Sequence, residues 1–88
     1  MAKFIAVHTM LDITNEKNFQ DRVVARLNEV PKGFICTQTY CDFANHKFFC
    51  DWEAPSKEAL EQGFKSLNVP FDAVYPVKIF NFEKKKFV

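Results

Sequence analysis

The segment from Phe49 to Glu53 carries the side chains best suited to chemistry in this sequence. Polar and apolar residues alternate along it, which is typical of a strand with two different faces. We assign Asp51 and Glu53 to an open face of a sheet, and we place His8, from the first predicted strand, beside them. One imidazole and two carboxylates suit nickel, zinc or iron at an exposed site. The pattern therefore predicts a divalent metal site formed by His8, Asp51 and Glu53.

A second interpretation of the same three residues stays open. Polar side chains also cover surfaces that face solvent or another subunit, and a single histidine is often structural. The fold predicted below places Lys78 near His8, where it adds positive charge and can pair with Asp51. This arrangement favours a solvated or dimer-facing surface over a metal site.

Aromatic residues provide a further prediction about the open face. Phenylalanine accounts for eleven of the 88 residues, which is more aromatic bulk than so small a core requires. We expect a second copy of the chain to cover part of it, so the protein is predicted to be a homodimer. The predicted interface or ligand pocket comprises Phe4, Gln38, Tyr40, Phe49, Lys78 and Phe80. Gln38 or Tyr40 would orient the metal ligands without binding the ion itself.

The order of predicted elements positions these residues. Strand patterns cover residues 3–9, 34–43, 48–53 and 77–82, and helical patterns cover residues 16–29 and the segment after Ser56. The order βαββαβ predicts an α+β, ferredoxin-like fold in a single domain spanning residues 1–88. Its four-stranded antiparallel sheet has the order 4-1-3-2, with two helices on one face. Gly63, in the middle of the second helix, predicts a close neighbour at that position.

The central hairpin determines where the three cysteines lie. With Asn45 and His46 at its tip, Cys41 faces Cys50 across two strands, whereas Cys36 belongs to the open row. A zinc knuckle is disfavoured because residues five apart on an intact strand point to opposite faces. We expect Cys41 and Cys50 to be small buried thiols, although a strained bridge between them stays open.

Net charge and hydropathy exclude several partner classes. The formal charge of +1 gives no long-range field to attract nucleic acid. No apolar stretch approaches the length needed to cross a membrane, and the N-terminus lacks the pattern of a signal peptide. We therefore predict a cytoplasmic protein without nucleic-acid or membrane partners.

The second half of the chain resembles a known family. The segments KFFCDWEAPSKEAL and FKSLNVPFDAVYPVKIF combine an aromatic-Cys pair, an Ala-Pro before an acidic helix start, and a proline-containing loop before the last strand. They resemble a family of small ferredoxin-like bacterial proteins of unknown function, which includes a streptomycete nickel-binding protein. The resemblance covers roughly residues 33 to 80 and implies a homodimer with a divalent metal. Gln38 departs from it, because members often have a histidine or an acid there.

Three functional hypotheses follow. The first is a small cytoplasmic binding protein that holds a divalent metal such as nickel, or a small molecule, on the open face of a homodimer. The second is an enzyme of the dimeric α+β barrel type, with His8 as the acid/base. The third is a non-catalytic interaction module. The absence of a recognisable nucleophile or phosphate loop favours the binding hypotheses over the enzyme.

Overall fold

The computed structural model describes residues 2–88. Its main elements alternate as the sequence predicts, and a short hairpin follows them at the C-terminus. In chain order they are β1 (Ala2–Thr9), α1 (Glu16–Val24), a 3-10 turn (Leu27–Glu29), β2 (Ile35–Asp42), β3 (Lys47–Ala54), α2 (Lys57–Ser66), β4 (Ala73–Pro76), β5 (Phe80–Asn81) and β6 (Lys86–Phe87).

The four long strands form one antiparallel sheet in the order β2-β3-β1-β4. Read from the other edge, this is the predicted order 4-1-3-2, so the α+β ferredoxin-like fold is confirmed. The two central strands, β1 and β3, pair along their full length from Ala2 opposite Ala54 to Thr9 opposite Lys47. This central pairing fixes which side chains share a face.

The buried core lies between β1, β3, β4 and α2. Helix α2 begins at Ser56, whose Oγ accepts a hydrogen bond from the Ala59 backbone N–H at 3.0 Å. Its buried residues, Leu60 and Phe64, are four apart and therefore lie on one helical face. They pack with four further buried residues from the strands, namely Phe4, Ala6, Ala54 and Val74.

The prediction that Phe4 belongs to the open face is wrong. Phe4 is directly opposite Trp52 in the sheet, and both side chains lie on the side covered by α2. Both rows of β1 are apolar, so alternation alone did not show which row the helices cover. Burial of the large Phe4 ring beneath α2 removes more apolar surface from water than burial of Ile5 in its place would.

Helix α1 covers the sheet much less completely than α2. Asn15 caps it by accepting a hydrogen bond from the Asn18 N–H at 2.8 Å, but none of its residues is fully buried. It ends at Val24 rather than near Glu29, and the chain continues into the 3-10 turn. Phe19 anchors it by stacking on the buried ring of Phe48, with 5.4 Å between the ring centroids.

The register of the β2–β3 hairpin differs from the prediction. Thr39 is opposite Cys50, and Cys41 is opposite Phe48 rather than Cys50. The turn comprises residues 43–46, and it is stabilised by Asp42, whose carboxylate accepts hydrogen bonds from the backbone and side chain of Asn45. The pairing is shifted by two residues from the predicted one, so each side chain near the turn stays on its predicted face of the sheet.

The last strand of the sheet is also shorter and earlier than predicted. It covers Ala73–Pro76, and the Val77 N–H then donates to the Lys3 carbonyl at 3.1 Å. Lys78 and Phe80 therefore lie beyond the four-stranded sheet, and their assignment to its open face is wrong. Phe80 begins a separate hairpin, in which it pairs with Phe87.

Candidate functional site

The structure does not bring His8 together with Asp51 and Glu53. In β1, His8 follows Phe4 and Ala6 on the helix-covered side, whereas Asp51 is opposite Ile5 on the other side of the sheet. The expectation of a shared face is therefore wrong, because the buried row of β1 is the one that ends in His8. Only 4% of the surface of His8 is exposed.

His8 is held on the covered side by specific contacts. Its Nδ1–H donates to the Pro70 carbonyl oxygen at 2.7 Å, and its ring meets the edge of Phe64 at a centroid distance of 5.0 Å. Burial lowers the pKa of His8, and the Pro70 hydrogen bond and the Asp72 charge oppose that effect less strongly. The ring is therefore a neutral, structural donor that fastens the loop before β4 to the core.

A polar network surrounds the same loop at the sheet edge. The Asp72 backbone N–H donates to the Val7 carbonyl at 2.7 Å, and the Asp72 carboxylate accepts from the Thr9 hydroxyl and from Lys47. The Thr9 hydrogen bond, followed by Lys47, lowers the pKa of Asp72. All its members have partners, so this network stabilises the loop and offers no free ligand.

Asp51 and Glu53 do lie together on the open face, as predicted. Asp51 is opposite Ile5 and Gln38, and Glu53 is opposite Lys3. The Lys3 ammonium is 3.4 Å from an oxygen of Asp51, and the Asp51 side chain is only 13% exposed. Lys3 thus takes the neutralising role that we assigned to Lys78.

Aromatic side chains flank the two acids on the open face. Tyr40 pairs with Phe49, and on the same face Tyr75 of β4 pairs with Ile5. Tyr40 is 61% exposed and Phe49 is 37% exposed. The amide of Gln38 donates to the Tyr40 hydroxyl at 3.0 Å, which orients both side chains. Gln38, Tyr40 and Phe49 are thus placed as predicted, whereas sequence analysis did not assign Tyr75 to this face.

The C-terminal hairpin presents a second aromatic cluster. The ring of Phe80 lies 5.2 Å from those of Phe82 and Phe87, in edge-to-face geometry. The hairpin closes on itself through a hydrogen bond from the Val88 N–H to the Ile79 carbonyl. None of its residues is fully buried, and Phe82 is 85% exposed. In the single chain these rings therefore remain largely in solvent.

A crevice of about 570 Å³ separates α1 from β2 on the covered side. Its walls are mainly apolar, with Phe19, Val23 and Val24 facing Cys41 and Phe43, and Glu16 and Thr39 add polar groups. It is open to solvent, and it results from the incomplete cover that α1 gives to β2. No sequence pattern indicates this crevice, because the apolar stripe of α1 has ordinary helical spacing.

Two features are absent from residues 2–88, the part of the chain that the structure describes. Within these residues, no group of three or more histidine, cysteine, aspartate or glutamate side chains is arranged to hold a metal ion. Among the helices described, none combines the length and the apolar character required to cross a bilayer.

Comparisons with known proteins support the fold. No family model matches the chain, and no curated protein matches it. Among solved structures, it is similar to SCO4226 from Streptomyces coelicolor A3(2), with a TM-score of 0.72 and 23% sequence identity. The match covers 86% of this chain and 95% of the other. The chain thus shares its fold with a small bacterial protein.

Proposed function

We propose that this protein is a small cytoplasmic binding protein that acts as a homodimer, with its open sheet faces opposed and a small cationic ligand between them. The observation that carries the proposal is the composition of the open face. Exposed aromatic rings at Tyr40, Phe49 and Tyr75 surround the carboxylates of Asp51 and Glu53. Aromatic faces and carboxylates are the two groups that attract cations.

A second copy of the chain is the occupant that suits this face best. The net charge of +1 produces little repulsion between copies. Lys84, Lys85 and Lys86, on the exposed hairpin, have the opposite charge to Asp51 and Glu53. The radius of gyration is 13.6 Å, against about 12 Å for a compact domain of this length. A protruding aromatic hairpin of one copy is available to pack on its partner.

Nickel is a narrower form of the ligand proposal, and it is supported by the family resemblance of residues 33 to 80. In this structure, a divalent ion would be bound by Asp51 and Glu53 contributed by both copies, without His8. It would also compete with Lys3, which already neutralises Asp51 at 3.4 Å. Because nickel would have to displace Lys3 from Asp51, we expect weaker binding than at two unpaired carboxylates, and salt should weaken it further by screening the attraction between the ion and the carboxylates.

Sedimentation equilibrium tests the dimer. Phe49→Lys places a charge in the middle of the open face, and Val24→Lys makes the same charge change on α1, where the side chain is also exposed. We expect the wild type and Val24→Lys to be dimers, and Phe49→Lys to be a folded monomer by circular dichroism. A monomeric wild type, or a dimer for each of the three proteins, would contradict a dimer formed through opposed open faces.

Calorimetric titration with nickel chloride on tag-free protein tests the ligand. We expect binding heat for the wild type, and its loss in Asp51→Asn. The matched control is Asp21→Asn, which removes an exposed carboxylate that pairs with Lys17 on α1. His8→Asn should retain the wild-type heat. No heat for the wild type, or heat that depends on His8, would contradict a nickel site on the open face.

A further inference from the structure

Two cysteines meet on the covered side of the sheet, away from the open face. Cys36 is opposite Trp52 and Thr39 is opposite Cys50, so the register shifts by one residue between Cys36 and Gln38. A β-bulge of this kind re-aims the side chains next to it. It turns Cys36 out of the open row, where simple alternation placed it, towards Cys50.

The hydroxyl of Thr39 lies between the two thiols. Its Oγ1 is 3.3 Å from the Cys50 Sγ and 3.9 Å from the Cys36 Sγ. Both thiols therefore lie within reach of a single hydroxyl group. Because β2 is an edge strand, paired only with β3, it can shift to bring the two sulfur atoms closer.

The environments of the two thiols are chemically unequal. Cys36 is exposed, and the neighbouring Cys50 thiol lowers the pKa of Cys36 to about 7, with smaller contributions from Thr39 and the Gln38 backbone. Cys50 is half-buried, and a thiolate on Cys36 together with burial raises the pKa of Cys50. An accessible thiolate beside a protonated thiol is the arrangement of an attacking and a resolving cysteine.

We propose that Cys36 and Cys50 form a redox-active dithiol, which a low-molecular-weight disulfide converts into an intramolecular disulfide between β2 and β3. The Cys36 thiolate attacks one sulfur of that disulfide, forms a mixed disulfide and releases one thiolate. Cys50 then gives up its proton and attacks the Cys36 sulfur, which releases the second thiol. The two cysteines are oxidised together by two electrons, and the small disulfide is reduced to two thiols.

Cys41 is not part of this pair. It is opposite Phe48 and lines the crevice beside α1. Burial and the nearby Glu16 carboxylate raise its pKa, so it is a poorer nucleophile than Cys36 at neutral pH. It therefore serves as an internal control on the same strand.

The test uses the full chain with glutathione disulfide at neutral pH, followed by mass spectrometry and peptide mapping. We expect the wild type and Cys41→Ser to lose two hydrogen atoms and to give a Cys36–Cys50 linked peptide. Cys50→Ser should stop as a glutathione adduct on Cys36, and Cys36→Ser should react at least tenfold more slowly. Alkylation of Cys36 by iodoacetamide should reach half its maximal rate near pH 7.

Three outcomes would overturn the proposal. A lasting glutathione adduct on Cys36 in the wild type would show that Cys50 does not resolve it. A link between Cys41 and Cys50 would show that the hairpin register differs from the one described. Equal reactivity of all three cysteines would show that the environment of Cys36 does not activate its thiol.

Discussion

At the scale of single residues, His8 makes the clearest prediction. Its pKa in the folded protein is below the ordinary value of 6.5, chiefly because the ring is buried. As the pH falls below about 6.5, the unfolded chain takes up a proton that the folded chain resists. The free energy of unfolding is therefore fully retained above that pH, and it falls at lower pH by up to ~1.4 kcal/mol per pH unit for one proton.

Urea unfolding between pH 7.5 and 5.5 measures this slope. His8→Asn keeps an N–H near the Pro70 carbonyl but does not titrate, so we expect a less stable protein with a flatter pH dependence. His46→Asn is the matched control, because asparagine tolerates the positive φ of 56° at that turn position. An equal slope in wild type and His8→Asn would mean that other groups cause the pH dependence.

The same residue shows the limit of sequence reasoning at this scale. Alternation correctly grouped Phe4, Ala6 and His8 in one row, and Asp51 with Glu53 in another. It did not show that the first row is the covered one, because both rows of β1 are apolar and histidine is neither a typically buried nor a typically exposed residue. The Pro70 carbonyl that makes its burial tolerable is 62 residues away in the sequence. The predicted metal site of His8, Asp51 and Glu53 was wrong because the sequence pattern could not show this long-range contact.

At the scale of elements, Gly63 gives a prediction that corrects the sequence analysis. A Cβ at this position in α2 would meet no atom within 4 Å, so no close neighbour requires glycine there. Gly63→Ala should therefore raise the free energy of unfolding by about 0.5–1 kcal/mol, by reducing the conformational freedom of the unfolded chain. Thermal or urea unfolding measures the change.

Gly33 provides the matched comparison for Gly63. It also has open space around it, but its φ of +94° is unfavourable for any residue with a Cβ. Gly33→Ala should destabilise the protein by about 1–2 kcal/mol. If both alanine variants changed stability in the same direction, backbone conformation would not be the property that separates the two sites.

The order and type of the main elements followed from periodicity and capping residues, whereas their ends and register did not. Ser56 correctly predicted the start of α2, because a serine before an apolar helical stripe supplies the missing acceptor. The bulge beside Cys36 had no local signature, since neither glycine nor proline marks it. Because alternation alone does not include the bulge, it placed Cys36 on the face opposite to Cys50.

At the scale of the whole molecule, the exposed hairpin separates folding from association. The chain from Ile79 onward makes its own two-stranded sheet, and none of its residues belongs to the buried core. The ferredoxin-like layer is already complete at Val77, whose N–H donates to the Lys3 carbonyl. Stability of the domain and formation of the proposed dimer should therefore depend on different parts of the chain.

Truncation after Val77 tests this separation. We expect the shortened chain to keep the circular dichroism spectrum of the sheet and α2, and to lose less than ~1 kcal/mol of monomer stability because it loses no buried side chain. In sedimentation equilibrium, the dimer dissociation constant should rise at least tenfold, since three aromatic rings and four lysines are removed. Phe82→Ser should produce part of this effect, whereas Leu11→Ser, at a similarly exposed site in the loop before α1, should produce none. A truncated chain that dimerises like the wild type would exclude the hairpin from the interface, and one that unfolds would show that the hairpin belongs to the folding unit.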